Sequence, residues 1–289
     1  MPPRTGADTA TARLRWRLFT TELQSVSDNL STVILGIVEG ITEFLPVSST
    51  GHLLIAERWL GERSELFNVT IQAGAILAIV LIYWRRLWTL VTRFDEPENR
   101  DYLAKLTVAF LITAIGGFIA TRLGWKLPES LLPIALATLI GGALILVIEA
   151  YVAGRPQVAA VSWNVAFWVG ACQILAAVFP GTSRSASTIF AAMLAGLTLR
   201  PAATEFAFLV GIPTMFAATG YELLKVRGER AGEDWHALAI GFAVSLIVAF
   251  IAVKWLLRYV QSHRFTIFAW YRIALGSVLL ALIGSGMMR

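Results

Sequence analysis

Long apolar runs separated by short polar stretches follow one another along most of the chain. A helix needs about 20 mostly apolar residues to cross the roughly 30 Å hydrocarbon core of a bilayer. Six runs reach that length. We predict membrane-spanning helices at 67–84, 104–121, 131–152, 203–224, 236–257 and 268–287.

Two more apolar segments, 33–58 and 165–193, are each interrupted by a polar break around a proline. Neither half of either segment is long enough to cross a bilayer. Non-helical backbone at membrane depth is tolerated only where it is buried in protein or lines a watery cavity. We therefore predict two re-entrant helix–loop–helix hairpins.

The two interrupted segments align with each other at a constant offset. The matched pairs include Gly36 with Gly170, Pro46 with Pro180, and Ser49 with Ser183. Three predicted spans separate the segments, and an odd number means that the hairpins enter from opposite faces. This indicates an inverted-topology repeat, with halves of roughly 31–152 and 162–289 within one membrane-embedded domain, 31–289.

Residues 1–30 lie outside this pattern. Apolar positions such as Trp16, Phe19 and Leu23 recur at spacings of three and four among arginines. That spacing is typical of an amphipathic helix on a membrane surface, and a disordered tail is the alternative. The first residues are polar and lack the apolar core of a signal peptide.

Composition supports a membrane protein. Of the 289 residues, 57% are hydrophobic and 15% are charged, against about 25% charged in soluble domains. This balance excludes a soluble enzyme, a disordered chain and a disulfide scaffold, and the one cysteine, Cys172, has no partner for an intrachain disulfide. The net charge of +5 has no dense basic cluster, so we expect loops beside membrane lipids and no nucleic-acid partner. The prediction is an all-α integral membrane protein.

Ionisable side chains in the first break point to chemistry, because charge inside a membrane is costly. Glu39 and Glu43 share one helix face, and such a pair needs a proton, a divalent cation or an arginine. Hydroxyl groups and an imidazole follow at Ser48, Ser49, Thr50 and His52. As alternatives, the glutamates face solvent, Ser48 only caps a helix, and His52 is a structural hydrogen-bonding residue.

The second break, PGTSRSAST at 180–188, has the opposite character. Its only cation is Arg184, surrounded by Ser183, Ser185, Ser187 and Thr188. Free N–H groups at the start of the following helix suit a phosphate, and arginine binds phosphate oxygens bidentately. Arg184 could instead pair with a glutamate of the first hairpin, and the two roles are compatible.

Brought together, the two breaks would form a site for phosphoryl transfer. Glu205 would support that site indirectly, or it is simply a charge at a helix end. Gly36 and Gly40 form a GxxxG pattern that favours close helix packing. Arg272 has the position of an anchor that reaches back to the membrane interface.

The motifs EGITEFLPVSSTGH at 39–52 and PGTSRSAST at 180–188 closely resemble the two signatures of the bacterial undecaprenyl-diphosphate phosphatase family, known from bacitracin resistance. Further similar stretches are IQAGAILAIVLIYWRRL at 71–87, TEFAFLVGIPTM at 204–215 and FAWYRIALG at 268–276. The resemblance runs from about residue 33 to the end of the chain.

This resemblance implies an inner-membrane enzyme that hydrolyses the polyprenyl lipid undecaprenyl diphosphate to the monophosphate and inorganic phosphate, recycling the carrier for peptidoglycan synthesis. It also implies six transmembrane helices with two re-entrant hairpins, a site that faces the periplasm, and a divalent cation, Mg²⁺ or Ca²⁺. The oligomeric state stays open, a homodimer included.

The family's functional residues transfer onto matching positions. Glu39 and Glu43 correspond to the acidic pair that binds metal or moves protons, Ser49 to the proposed nucleophile, and His52 to a base or proton shuttle. Arg184 corresponds to the phosphate-binding arginine. The remaining diphosphate-binding candidates are Ser48, Thr50, Ser183, Ser185 and Thr188.

Two alternatives to this reading stay open. Inverted repeats with broken helices are typical of secondary transporters, so a transporter or lipid flippase could use Glu39 and Glu43 to couple ions. Within the phosphatase reading, either Ser49 or a water attacks phosphorus. A structural scaffold would leave the buried charges unexplained.

Overall fold

The computed structural model describes residues 28–123, 131–225 and 233–287. Within these ranges the chain is all-helical, with eleven α-helices and no strand. Residues 1–27, which carry most of the predicted surface helix, lie outside the described residues, so that prediction stays untested.

The first helix, α1, covers residues 28–42. The others are α2 (Ser49–Leu60), α3 (Glu65–Ile82), α4 (Trp84–Thr92), α5 (Pro97–Arg122), α6 (Leu131–Ala153), α7 (Trp163–Val178), α8 (Arg184–Leu194), α9 (Arg200–Lys225), α10 (Trp235–Tyr259) and α11 (Thr266–Gly284).

Six of the described helices, α3, α5, α6, α9, α10 and α11, are long and apolar enough to cross a membrane. They confirm the six predicted spans, although the helix ends are shifted. The largest shift is at the start of α5, which begins at Pro97 instead of the predicted residue 104. Large apolar side chains such as Val147 and Ile251 are more than 60% exposed on these helices, as expected of residues that face lipid. The chain is a multi-pass membrane protein.

Each interrupted segment forms two short helices around a break, as predicted. The first break, 43–48, separates α1 from α2, and the second, 179–183, separates α7 from α8. The residue before the second helix is Ser48 in one case and Ser183 in the other, and their φ angles are 78° and 66°. Between α3 and α5 the structure has one element that the sequence analysis did not predict, because the stretch after the first predicted span begins with the amphipathic helix α4, Trp84–Thr92.

Glycines bring the helices into close contact. A Cβ atom added to Gly40 would lie 2.8 Å from the Ser245 carbonyl oxygen of α10, so the GxxxG pattern of α1 does serve helix packing. At Gly170 of α7 a Cβ atom would lie 2.5 Å from the Ala109 carbonyl oxygen of α5. The α6–α11 contact is equally close at Gly142. These contacts hold both interrupted segments against spanning helices.

A buried ion pair joins three elements where α6 ends and α9 begins. The Arg200 guanidinium donates to both carboxylate oxygens of Glu149, and the Phe265 N–H donates to Glu149 Oε1 at 2.9 Å. Glu149 is 1% exposed. By contrast, the Arg86–Glu205 pair, 3.3 Å apart between α4 and α9, is about one-third exposed.

We expect Glu149→Ala to lower the free energy of unfolding by about 3 kcal/mol, because it leaves the partly buried Arg200 cation and the buried Phe265 N–H without a partner. Glu205→Ala is the matched control, for which a loss of about 1 kcal/mol or less is expected because its ion pair is solvated. Unfolding of the purified protein in mixed micelles, titrated with SDS, measures both values. Equal losses would contradict the structural role of Glu149.

Candidate active site

The two breaks meet inside the helix bundle. The Ser185 hydroxyl, at the start of α8, donates to the Leu45 carbonyl oxygen in the first break at 2.9 Å. An ion pair between Arg184 and Glu43 makes a second link, with 3.1 Å between Nη2 and Oε1. About 140 residues of chain separate these partners, so the fold creates the junction that the two motifs predicted.

Glu43 lies at the centre of this junction. One carboxylate oxygen, Oε1, binds Arg184, and the other, Oε2, accepts a 2.5 Å hydrogen bond from the Ser49 hydroxyl. Arg184 lies over the Phe44 ring, 5.7 Å from its centroid. It also occupies space that a side chain at Gly211 would fill. Glu43 therefore connects the Ser49 hydroxyl to the Arg184 guanidinium.

Glu39 lies on the last turn of α1, close to Glu43 at the start of the first break. Its side chain is 1% exposed. The buried Oε2 atom of Glu39 has no hydrogen-bond partner in the part of the chain that the structure describes. An unsatisfied buried carboxylate oxygen requires an explanation, and a catalytic role or a bound water or ion supplies one.

Two adjoining cavities, of about 200 and 390 Å³, contain these groups. Ser49, Thr50 and Gln72 line both cavities, so the two are contiguous. The smaller, inner cavity also holds Glu43, Ser48, Ser183 and Arg184. The larger, outer cavity extends past Glu39 to Glu57, Arg63, Glu65 and Asn68, near the α2–α3 connection.

His52 occupies a different environment from the one predicted for a base. Its Nδ1–H donates to the Ser48 carbonyl oxygen at 2.6 Å, and its Nε2 therefore accepts from the Tyr271 hydroxyl, also at 2.6 Å. Neither cavity is lined by His52. In this geometry the imidazole connects the loop to α11, and both of its nitrogens bond to groups other than the Ser49 hydroxyl.

Three further predicted residues lie away from the cavities. Thr188 is buried and donates to the Arg184 carbonyl oxygen within its own helix, while Ser185 binds the first break as described above. Glu205 pairs with Arg86 instead of supporting the site, which agrees with the alternative of a helix-end charge. Ser185 and Thr188 therefore support the loops and do not line the cavity.

The structure also adds polar residues that the motifs missed. Gln72, Thr113, Gln173 and Thr214 line the inner cavity. The Gln173 amide donates to the hydroxyl groups of Thr113 and Thr214, at 3.2 and 2.8 Å. The internal repeat carries a signal for one of them, because Gln173 aligns with Glu39. Gln72 is the one residue with a long polar side chain in the stretch 69–82 of α3.

The prediction for Arg272 was wrong. Its side chain is fully buried and binds five backbone carbonyl oxygens, so it does not reach the membrane interface. A lone arginine near one end of an apolar helix looks the same in the sequence whether it reaches the membrane interface or binds buried carbonyl groups.

Comparisons with known proteins agree with this geometry. The family model described as bacitracin resistance protein BacA matches residues 32–278. An undecaprenyl-diphosphatase of Rhizobium etli is 63% identical over 262 residues, covering 90% of this chain and 99% of the relative. One of Xanthomonas oryzae pv. oryzae is 58% identical over 258 residues, covering 88% and 97%. The chain belongs to the BacA family of bacitracin resistance proteins.

Proposed function

We propose that the chain is an undecaprenyl-diphosphatase, which converts the membrane carrier diphosphate to the monophosphate and inorganic phosphate for reuse in peptidoglycan synthesis. The observation that carries this proposal is the Glu43 carboxylate, which binds both Ser49 and Arg184 in a cavity among apolar helices. A hydroxyl, a proton acceptor and an anion-binding cation are the groups that phosphoryl transfer requires. Transport alone needs no hydroxyl held by a carboxylate.

The chemistry follows from these contacts. Arg184 binds the terminal phosphate, and the Ser49 oxygen forms a bond to its phosphorus while its proton moves to Glu43. The bond from phosphorus to the bridging oxygen breaks, and undecaprenyl phosphate leaves with the proton that Glu43 took up, which returns Glu43 to a carboxylate. A water oxygen then bonds to phosphorus while one of its protons passes through Glu43 to the Ser49 oxygen. The phosphoserine ester bond breaks, and inorganic phosphate leaves with the other proton.

A divalent cation, Mg²⁺ or Ca²⁺, fits the acidic pair. Among the described residues there is no cluster of three or more acidic, His or Cys side chains that could hold a metal alone. Mg²⁺ commonly binds to one or two carboxylates and completes its shell with substrate phosphates and water. Glu39, with its unsatisfied Oε2, and Glu43 would hold the ion. When bound, the cation would supply positive charge to the phosphate oxygens.

Two re-entrant hairpins in an inverted repeat are also part of the proposal. Supporting it, α1 packs on α10 and α7 packs on α5, while α6 pairs with α11. In the two halves α1 corresponds to α7, α5 to α10 and α6 to α11. The α1–α10 contact therefore corresponds to the α7–α5 contact, and the α6–α11 contact corresponds to itself. None of the four hairpin helices belongs to the six apolar helices long enough to span a bilayer.

We place the cavity mouth on the periplasmic side of the inner membrane. If all six long helices cross, the α2–α3 connection at the outer cavity lies on one side of the membrane. The connections after α3, α6 and α10 then lie on the other side. The latter carry the arginines Arg85, Arg86, Arg93, Arg100, Arg155 and Arg264. Basic residues mark cytoplasmic loops, but the opposite side also carries Arg63, Lys126, Lys225, Arg227 and Arg230. The charge bias is therefore slight, and this orientation rests on the resemblance to the family.

The test is phosphate release from undecaprenyl diphosphate by the purified, detergent-solubilised protein. We expect turnover with Mg²⁺ or Ca²⁺, and a loss of at least about 100-fold after EDTA treatment, because the acidic pair then repels the diphosphate. Re-addition of Mg²⁺ in excess should restore the rate. A protein that releases no phosphate under any metal condition, while moving the lipid across liposomes, would refute the proposal.

A further inference from the structure

Arg272 of α11 is a fully buried cation whose hydrogen bonds all go to neutral groups. Its nitrogens donate to the carbonyl oxygens of Ala137 and Thr138 in α6, at 3.0 and 3.3 Å. Within the described parts of the chain no carboxylate pairs with it. Gly141 leaves the space that its guanidinium occupies. A buried charge without a counter-ion is costly, so its retention needs a reason.

The other three acceptors belong to the two breaks. Arg272 Nη1 donates to Pro46 O at 3.4 Å in the first break and to Thr182 O at 3.2 Å in the second. Its Nη2 donates to Gly181 O at 3.0 Å. One guanidinium therefore binds both loops that carry the proposed active-site residues, although it lines neither cavity.

These bonds determine which way the peptide N–H groups point. In a trans peptide unit the N–H points opposite to the C=O, and the described residues contain no cis peptide bond. The N–H of Val47, which follows Pro46, already donates to Leu45 O, and the N–H of Thr182, which follows Gly181, donates to Phe179 O. The N–H that follows Thr182 belongs to Ser183, and among the described residues it has no acceptor.

The Ser183 N–H therefore points away from Arg272. Ser183 lines the inner cavity beside Arg184, whereas Arg272 lies behind the loop. Ser183 also has a positive φ of 66°, a backbone conformation that is unfavourable for a non-glycine residue and is kept only where the surroundings enforce it. The Arg272–Thr182 hydrogen bond is one such constraint.

Building on the proposed phosphatase function, we propose that Arg272 is a positioning residue that fixes the Thr182–Ser183 peptide, so that the Ser183 N–H binds the diphosphate. Arg184 and this N–H then bind the same anion from adjacent residues. The positive charge of Arg272 adds to the attraction for the anion from behind the loop. Arg272 itself does not touch the substrate.

Arg272→Lys keeps the charge, but a single ammonium group cannot reach five carbonyl oxygens. We expect kcat/KM for undecaprenyl diphosphate to fall by about 10- to 100-fold, and the dissociation constant of methylenediphosphonate to rise by the same factor. That factor corresponds to the loss of one hydrogen bond to a charged group. The control is Arg200→Lys, a partly buried arginine that pairs with Glu149 away from both cavities, which should lose stability and keep both values. A folded Arg272→Lys variant with wild-type values would overturn the inference.

An amide-to-ester substitution tests the N–H directly and decides the matter if Arg272→Lys does not fold. Replacing Ser183 with its α-hydroxy acid deletes that N–H and should weaken methylenediphosphonate binding about 10-fold or more. The same exchange at Ser187, whose N–H donates to Ser183 O within the helix, should leave it unchanged. Unchanged binding at Ser183 would refute the role. Because this readout needs no turnover, it is separate from the test of the phosphatase function itself.

Discussion

Glu43→Gln will lower kcat for undecaprenyl diphosphate by about 10³-fold, within the range that general-base catalysis contributes. Glutamine has the same shape as glutamate, but its amide cannot take the proton from the Ser49 hydroxyl, which now lies 2.5 Å from Glu43 Oε2. It also removes the counter-ion of Arg184. Quenched-flow or single-turnover phosphate release, with the melting temperature as a check on folding, measures the effect on the chemical step.

Glu205→Gln is the matched control for this experiment. Glu205 also pairs with an arginine, Arg86, at 3.3 Å, yet it lines neither cavity. Its exchange should leave kcat within about twofold, since a partly solvated ion pair contributes little. If Glu43→Gln kept more than a tenth of the wild-type kcat, the Ser49–Glu43 contact would have no catalytic role.

The parts of this architecture that could be predicted have local signals in the sequence. A long apolar run is a span because of the thickness of the bilayer. Glu43 and Arg184 stood out because charged residues are rare within apolar segments. A second rule explains why the two breaks were expected to meet: non-helical backbone within a membrane has to be buried in protein or line a watery cavity. The structure places both breaks at one junction.

The register of the internal repeat could not be predicted. A constant offset pairs Ser49 with Ser183, but in the structure Ser183 matches Ser48, since both have positive φ and precede a helix. The first break, 43–48, is one residue longer than the second, 179–183. Ser49 and Arg184 therefore hold equivalent positions, each as the first residue of its helix. In the proposed repeat, the proposed nucleophile and the proposed phosphate-binding arginine therefore occupy matching positions.

The contacts of α11 were equally inaccessible to sequence reasoning. His52 binds Tyr271, which is 219 residues away, and Arg272 binds carbonyl groups from both breaks. Backbone carbonyl oxygens have no sequence signature, so a buried arginine that binds them cannot be distinguished from one that reaches the membrane surface. Only the tertiary arrangement reveals that FAWYRIALG, one of the shared stretches, supports the active-site loops.

Arg184→Lys will lower kcat/KM by about 10³-fold, because preorganised donors aimed at a transferring phosphoryl group commonly contribute that much. The planar guanidinium can bind Glu43 and a phosphate oxygen at the same time, whereas an ammonium group is a single point charge. Its shorter reach would also lose the contact over Phe44. We expect KM for undecaprenyl diphosphate to rise together with the fall in kcat, since Arg184 would bind the ground state and the transition state.

Arg86→Lys is a close control for this change. Arg86 also pairs with a glutamate and lies over an aromatic ring, 4.8 Å from the Tyr102 centroid. The two variants therefore lose the same kinds of contact, and only one of them lines the inner cavity. Steady-state kinetics of both variants, compared at the same fraction of folded protein, separate the effect of an arginine in the cavity from that of an arginine elsewhere. Equal kinetic losses would mean that the junction of the two breaks stabilises the fold without binding the diphosphate, because a generic loss of packing would then explain both results.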